Sequence, residues 1–203
     1  MLVLGTGTEV GKTWVTARLI EQLRQDGRRV AVRKPVQSFE PGERTDAEVL
    51  GDASGELPEA VCPPDRWYGL AMAPPMAVEV LGRAAFTISD LIGELSWPEG
   101  IEVGFVEGVG GVRSPMAGDG DAVRLAAALR PDIVALVADA GLGALNLVRL
   151  SAGSVDHPDL VVHLNRFDPA NDLHRLNKHW LERDGLSVET SVSGLARRLS
   201  RRR

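Results

Sequence analysis

The sequence predicts a doubly wound α/β domain, with a mainly parallel sheet and helices on both faces. Three observations predict it. Short apolar runs recur with longer, helix-like segments between them, the pattern of a sheet covered on both sides. The first of those runs passes straight into a glycine-rich turn and then into a helix. The length, 203 residues, suits one compact unit, in which a single core buries roughly 70% of the unfolded chain's surface without disulfides or a structural metal.

The strands expected, in order, are residues 2–4, 29–33, 103–106, 133–138 and 160–164. Residues 12–24 read as the first helix, because Val15, Leu19, Ile20 and Leu23 fall on one face while Arg18, Glu21 and Gln22 fall elsewhere, and Asp26-Gly27 stops it. Thr45-Asp46-Ala47-Glu48 begins a second helix. Residues 56–67, with Pro58, Pro63 and Pro64, form the least regular stretch, part of a long excursion over the sheet. Ala73-Pro74-Pro75 opens a helix that runs to Leu81, and residues 121–129, 145–152 and 172–183 read as further helices. No linker, repeat or low-complexity segment divides the chain, so residues 1–203 are expected to form one domain.

Composition narrows the function classes. The chain is 44% hydrophobic and 25% charged with a net charge of -5, which argues against a broad nucleic-acid face. The one local basic run, Arg197, Arg198, Arg201, Arg202 and Arg203, reads as a solvated, frayed tail. A single cysteine, Cys62, excludes an internal disulfide and a Cys-based zinc site, and fits a reducing compartment. No apolar stretch approaches the ~20 residues that span a bilayer, and Met1-Leu2-Val3-Leu4 meets a glycine turn with no basic signal-peptide region before it. The expectation is a cytoplasmic protein with neither a nucleic-acid nor a membrane partner.

The strongest motif is Gly5-Thr6-Gly7-Thr8-Glu9-Val10-Gly11-Lys12-Thr13, between the first strand and the first helix. Glycines let backbone N–H groups turn inward around an anion, and the helix N-terminus adds its partial positive charge. Lys12 supplies a point charge, and the Thr13 hydroxyl is suited to Mg²⁺. Gly11 follows Gly5 by one position more than in the common G-x-x-x-x-G-K-[ST] form. Lys34, in Arg33-Lys34-Pro35-Val36-Gln37-Ser38, stands at the C-terminal end of the second strand, the sheet edge where ligands bind in open α/β folds. It is either a second cation for a transferring phosphoryl group or a surface lysine at a strand end. Glu107, followed by Gly108-Val109-Gly110-Gly111, has the Walker-B arrangement of a metal-holding acid on a slim backbone. Asp46 alone reads as a helix cap; together with Thr13 and Glu107 it makes a hard oxygen shell for Mg²⁺.

Taken together, the long phosphate loop, Lys34-Pro35-Val36 with Ser38, Asp46 and Glu107-Gly108-x-Gly110-Gly111 resemble the dethiobiotin synthetases, P-loop NTPase-type ligases that close the ring in biotin synthesis. Leu142-Gly143-Ala144-Leu145-Asn146 is similar to a Leu-Gly-x-Ile/Leu-Asn segment that lies at that family's dimer interface. The resemblance implies a cytoplasmic homodimer acting on 7,8-diaminononanoate, CO2 and ATP with Mg²⁺. One amine takes up CO2 as a carbamate, ATP phosphorylates it, and the second amine closes the cyclic urea. It implies Lys34 and Lys12 as catalytic residues, and Thr13, Asp46 and Glu107 as metal ligands. Nucleotide contacts are implied for Glu9, Val10, Gly11, Lys12, Thr13, Trp14, Asp46, Glu107, Gly108, Gly110 and Asn165, and substrate contacts for Thr8, Glu9, Ser38 and Asn146.

The chain departs from that family in three places. Gly7 stands where many members carry Asp. Asn165 either reads the adenine or is a turn residue ahead of Asp168-Pro169. The family's last nucleotide loop, Gly-x-x-Pro, has no clear counterpart in residues 187–194, which leaves tolerance for other nucleoside triphosphates open.

Several residues are expected to be structural. His157, His163, His174 and His179 lack companions for a metal shell and read as surface residues. Trp180 with Leu173 and Leu176 has helical spacing and reads as core. Asp119 and Asp121 read as turn and cap residues, and Cys62 has no activating neighbour. The alternative function is a ParA/MinD-like switch ATPase acting on membrane or DNA, with residues 195–203 as an amphipathic anchor. The extra early lysine of that class is missing, because no lysine precedes Lys12.

Overall fold

A computed structural model describes residues 1–200. In chain order the elements are β1 (Leu2–Gly5), α1 (Lys12–Gln25), β2 (Val30–Arg33), β3 (Gln37–Ser38), α2 (Asp46–Ser54), α3 (Pro58–Val61), β4 (Trp67–Tyr68), α4 (Pro74–Leu81) and α5 (Ile88–Gly93). They continue with β5 (Val103–Glu107), β6 (Pro115–Ala117), β7 (Gly120–Asp121), α6 (Ala122–Leu129), β8 (Val134–Asp139), α7 (Ala144–Ser154), β9 (Leu160–Asn165), α8 (Asp172–Arg183), β10 (Ser187–Glu189) and α9 (Val192–Ser200). A six-stranded sheet has the order β10-β9-β8-β1-β5-β2, and every pairing in it is parallel.

Period-2 alternation divides the core between the two faces. Along β1, Val3 joins Val15, Leu19 and Leu50 under α1 and α2, whereas Leu2 and Leu4 join Leu125, Val148 and Leu181 under α6, α7 and α8. All five expected strands and the expected helices form, with ends within a residue or two. Residues 37–93 make the long excursion, which carries the small parallel pair of β3 and β4. The expected irregular stretch holds α3 and a 3₁₀ turn at Pro64–Arg66, each opened by proline at its first helical position.

Three expectations are corrected. Trp180, Leu173 and Leu176 are exposed, Trp180 at 44%, because the buried stripe of α8 runs through Asn177 and Leu181. The apolar row lies one step around the helix, where Trp180 takes the Arg183 guanidinium over its ring. His163 is buried in β9, not on a surface. The supposed frayed tail is in part α9, with Leu195 and Ala196 in the core and Arg198 paired with Glu189 at 2.8 Å. Arg201, Arg202 and Arg203 lie outside the described residues. Asp121 does cap α6, accepting from Val123 and Arg124 N–H, and Asp119 accepts from Ile88 N–H.

Candidate active site

The C-terminal ends of β1, β2 and β5 deliver Gly5, Lys34 and Glu107 to one edge of the sheet, and the loops beyond them wall a cleft of about 460 Å³. That volume falls in the range of small-molecule sites, roughly 300–1,000 Å³. Between β1 and α1 the loop turns on Gly11, whose φ of 90° is left-handed and whose missing Cβ leaves room for the Asn165 amide. At Gly5 a Cβ would meet the Lys12 side chain at 2.9 Å, so glycine there lets the lysine fold back across the loop. Glu9, at φ 60°, is the one non-glycine of the loop in left-handed space. Its carbonyl accepts from the Arg166 guanidinium at 3.0 Å, and Arg166 also pairs with Asp139 at 2.8 Å.

At the floor, four side chains close on one another. Lys34 Nζ lies 2.7 Å from Asp46 Oδ2 and 2.8 Å from Glu107 Oε1, and donates to the Gly108 carbonyl at 3.0 Å. Thr13 Oγ1 lies 2.7 Å from Asp46 Oδ1 and 2.8 Å from Glu107 Oε1. Thr16, one turn along α1, reaches Glu107 Oε2 at 2.7 Å. Burial alone would push the Lys34 ammonium down, but the two carboxylates hold it above its ordinary value. Burial would raise Asp46, and Lys34 with Thr13 holds it below the usual carboxylate range. Lys12 donates to the carbonyls of Gly7 and Gly110, both at 2.9 Å; burial first and then Lys34 lower it to about 8.

The oxygens of Thr13, Asp46 and Glu107 form a hard donor set that fits Mg²⁺. A single Thr13 hydroxyl hydrogen serves two carboxylate oxygens, which leaves one oxygen–oxygen contact that a cation among them would relieve. Among the described residues no group of three or more His, Cys, Asp and Glu gathers for a softer metal. Cys62 is buried and pushed up to about 12, chiefly by that burial, so it is no nucleophile.

Comparison with known proteins decides the family. A family model described as an AAA domain matches residues 1–164. The ATP-dependent dethiobiotin synthetase BioD of Haloferax mediterranei is 35% identical over 188 residues, covering 89% of this chain and 77% of that protein. The chain belongs to the dethiobiotin synthetase family. Two further synthetases of that name, from Anaeromyxobacter dehalogenans and Corynebacterium efficiens, are 34% and 38% identical; the matches cover 85% and 74% of this chain and 78% and 67% of those proteins. A structure of the 54 kDa signal recognition particle protein from Aeropyrum pernix K1 in complex with GDP matches in fold alone, with TM-score 0.51 and 20% identity over 94% of this chain and 41% of that one. These relatives do not favour the switch-ATPase alternative, and the burial of Leu195 and Ala196 withdraws the apolar side of its supposed anchor.

Within this member of the dethiobiotin synthetase family, the cleft is lined by Thr8, Glu9, Gly11, Lys12, Thr13, Trp14, Lys34, Ser38, Asp46 and Gly110 of the expected residues. Val10 is buried beneath the loop, where its carbonyl accepts from Asn165 Nδ2 at 3.0 Å. Gly108 lies behind Lys34. Asn146 is exposed on α7, outside the cleft lining. Gly7 is not required by space, since a Cβ there would meet only Val10, at 3.9 Å. Sequence reasoning missed Thr16, whose spacing of three from Thr13 on a helix would have placed it on the same face. It also missed Gln37, and Arg166, whose link to Glu9 spans 157 residues and leaves no local signal.

Proposed function

We propose that the chain is an ATP-dependent dethiobiotin synthetase of biotin biosynthesis, converting 7,8-diaminononanoate, CO2 and ATP to dethiobiotin, ADP and phosphate. The observation that carries this reading is the cluster of Thr13, Lys34, Asp46 and Glu107, its Lys34–Glu107 pair buried and its Thr13 and Asp46 half-buried, gathered with Lys12 at one cleft in a chain of that family. Two ammonium groups balance two carboxylates in the site, so a triphosphate and an anionic acceptor together need additional positive charge. Thr13, Asp46 and Glu107 would hold Mg²⁺, which supplies that charge against the phosphates when bound.

One substrate amine takes up CO2 and loses a proton to become a carbamate. A carbamate oxygen then attacks the γ-phosphorus as ADP leaves, and the second amine displaces phosphate from the mixed anhydride as the ring closes. Lys34, fixed from two sides, spans the carbamate and the transferring phosphoryl group; Lys12 turns from the Gly7 and Gly110 carbonyls to the phosphates. Thr8, Glu9 and Ser38 face the diamine, and holding both reactants in line supplies much of the remaining rate. Trp14 flanks the nucleotide and Asn165 reads its base. Only Thr190 and Ser191 separate β10 from α9, so the base finds few further contacts and discrimination among nucleoside triphosphates is weak.

The same reading takes residues 1–203 as one ligase domain, cytoplasmic and homodimeric, with no nucleic-acid or membrane partner. Among the described residues no helix is long and apolar enough to cross a membrane. Support for the dimer comes from exposed apolar side chains, Leu142 (92% exposed) just before α7, Leu147 and Leu150 on α7, and Leu173, Leu176 and Trp180 on α8, which a second copy would cover, bringing Asn146 to a substrate carboxylate. The test is phosphate release from ATP, which is expected only with both the diamine and bicarbonate present, together with a product of dethiobiotin mass. Equal release without the diamine would overturn the assignment, and stimulation by DNA or lipid vesicles would favour a switch ATPase.

A further inference from the structure

Gln37 is a cleft residue to which the mechanism above gives no task. It lies on β3, three residues after Lys34, and is 1% exposed. Its Oε1 accepts from the Ala47 N–H at 3.0 Å, serving one of the free N–H groups in the first turn of α2 beside Asp46. That bond decides the orientation of the amide, because only the oxygen can face an N–H donor. The Nε2 group is therefore directed away from the helix, and it has no partner. Among the four buried polar side-chain atoms without a partner in the described residues, Nε2 of Gln37 alone belongs to a residue of this cleft. An unmet buried donor costs free energy in the resting protein, and the group recovers it when an acceptor arrives.

We infer that Gln37 is a substrate-binding residue whose Nε2 donates to an anionic oxygen of the reactants beside Lys34. Building on the ligase reading, that oxygen belongs to the carbamate or to the γ-phosphate. The chemistry required is the same for both: a neutral donor next to two ammonium groups adds a directed hydrogen bond to an oxyanion without raising the site's charge. An amide also discriminates in a way that a lysine does not. Its held orientation rewards an acceptor at one place and rejects a reactant that presents a donor there.

Gln37→Glu tests this. The introduced carboxylate keeps an oxygen for Ala47 N–H, so the first turn of α2 keeps its acceptor, but it removes the donor and sets a negative charge against the reactant. With MgATP saturating, kcat/KM for the diamine is expected to fall about 10- to 100-fold if the partner is the carbamate. If the partner is the γ-phosphate, the same loss appears in the Kd of MgATP measured by calorimetry. Both outcomes support the inference, and the arms tell the acceptors apart. The loss should shrink as pH falls and the introduced carboxyl gains a proton to donate; a structural role would not produce that rescue. Unchanged kcat/KM and unchanged Kd in a folded variant overturn the inference. Gln37→Met serves as a second variant, since it removes both ends of the amide: lower stability with full activity would also assign Gln37 to the helix cap alone. Should the wild-type protein show no diamine-dependent phosphate release, the ligase reading fails separately, and the MgATP arm still decides Gln37.

Discussion

The two ends of the nucleotide cleft are built on different principles. Around Lys34 each side chain is tied to at least two others: Lys34 to Asp46 and Glu107, Thr13 to both acids, and Glu107 to Thr16 as well. At the β9 end, Asn165 reaches the Val10 carbonyl, Arg166 reaches Glu9 and Asp139 across exposed surface, and His163 Nδ1 is buried without a partner. In the first region the loss of Lys34 strands the buried Glu107 carboxylate; in the second the exposed Arg166 contacts are ones that water can replace. The end proposed for the chemistry is over-determined, and the end proposed to read the base is held by a few separable bonds.

The largest effect is expected at Lys34. Lys34→Ala should lower single-turnover phosphate release by about 10³-fold or more, the loss of a charge that meets the transition state. It should also destabilise the fold by about 3–5 kcal/mol, because the buried Glu107 loses its cation. Added MgCl2 should restore part of the melting temperature if those acids form the metal site. Lys12→Ala should instead weaken MgATP binding along with turnover, since Lys12 Nζ donates to the Gly7 and Gly110 carbonyls and holds no buried acid in place. Near-normal turnover in the Lys34 variant would remove it from the chemistry and erase the contrast between the two ends.

A smaller and slower loss should come from the other region as pH falls. Burial, opposed in part by Glu189, lowers His163 from 6.5 to about 4 in the folded protein. Its folded value is the depressed one, so between pH 6.5 and 4 the unfolded chain binds the extra proton. The stability tied to the neutral ring is complete above pH 6.5 and lost on the way down to pH 4, a total of about 3 kcal/mol. His163→Val should flatten that part of the stability-against-pH curve in urea melts while leaving the Lys34 chemistry intact. If the variant kept the wild-type slope between pH 6.5 and 4, acid sensitivity would have to be sought in the central cluster.

How far sequence alone reached follows the same division. The five long strands and the helix starts at Lys12 and Asp46 were legible because apolar period and capping residues are local signals, as were the phosphate loop and its neighbouring acids. Lys34 alone was undecidable between a surface lysine and a second cation for a transferring phosphoryl group, since the acids that hold it, Asp46 and Glu107, come from other parts of the chain. β10 and α9 escaped because Ser187–Glu189 is a short edge strand with mixed polarity, and α9 follows it after two residues. The error over Trp180 was one of phase. An apolar row at helical spacing marks a face, and only packing decides whether that face meets the core or another surface.

Arg166 offers the finest probe of the loosely held end. Its guanidinium joins the end of β8, through Asp139, to the Glu9 carbonyl, and Glu9 holds a left-handed φ in the phosphate loop. Left-handed backbone in a non-glycine residue carries strain that its surroundings must offset. Both ionic partners are exposed, however, and such pairs contribute about 0.2–1 kcal/mol. Arg166→Ala should therefore raise KM for ATP by about two- to fivefold with kcat unchanged, and Asp139→Asn should do no more. The double variant should lose less than the sum of the two, because each single change already breaks the same Arg166–Asp139 pair. Steady-state kinetics with ATP varied at saturating diamine and bicarbonate measure all three. A tenfold fall in kcat for Arg166→Ala would show that the phosphate loop relays its geometry to the Lys34 end, and the two regions would then have to be treated as one mechanical unit.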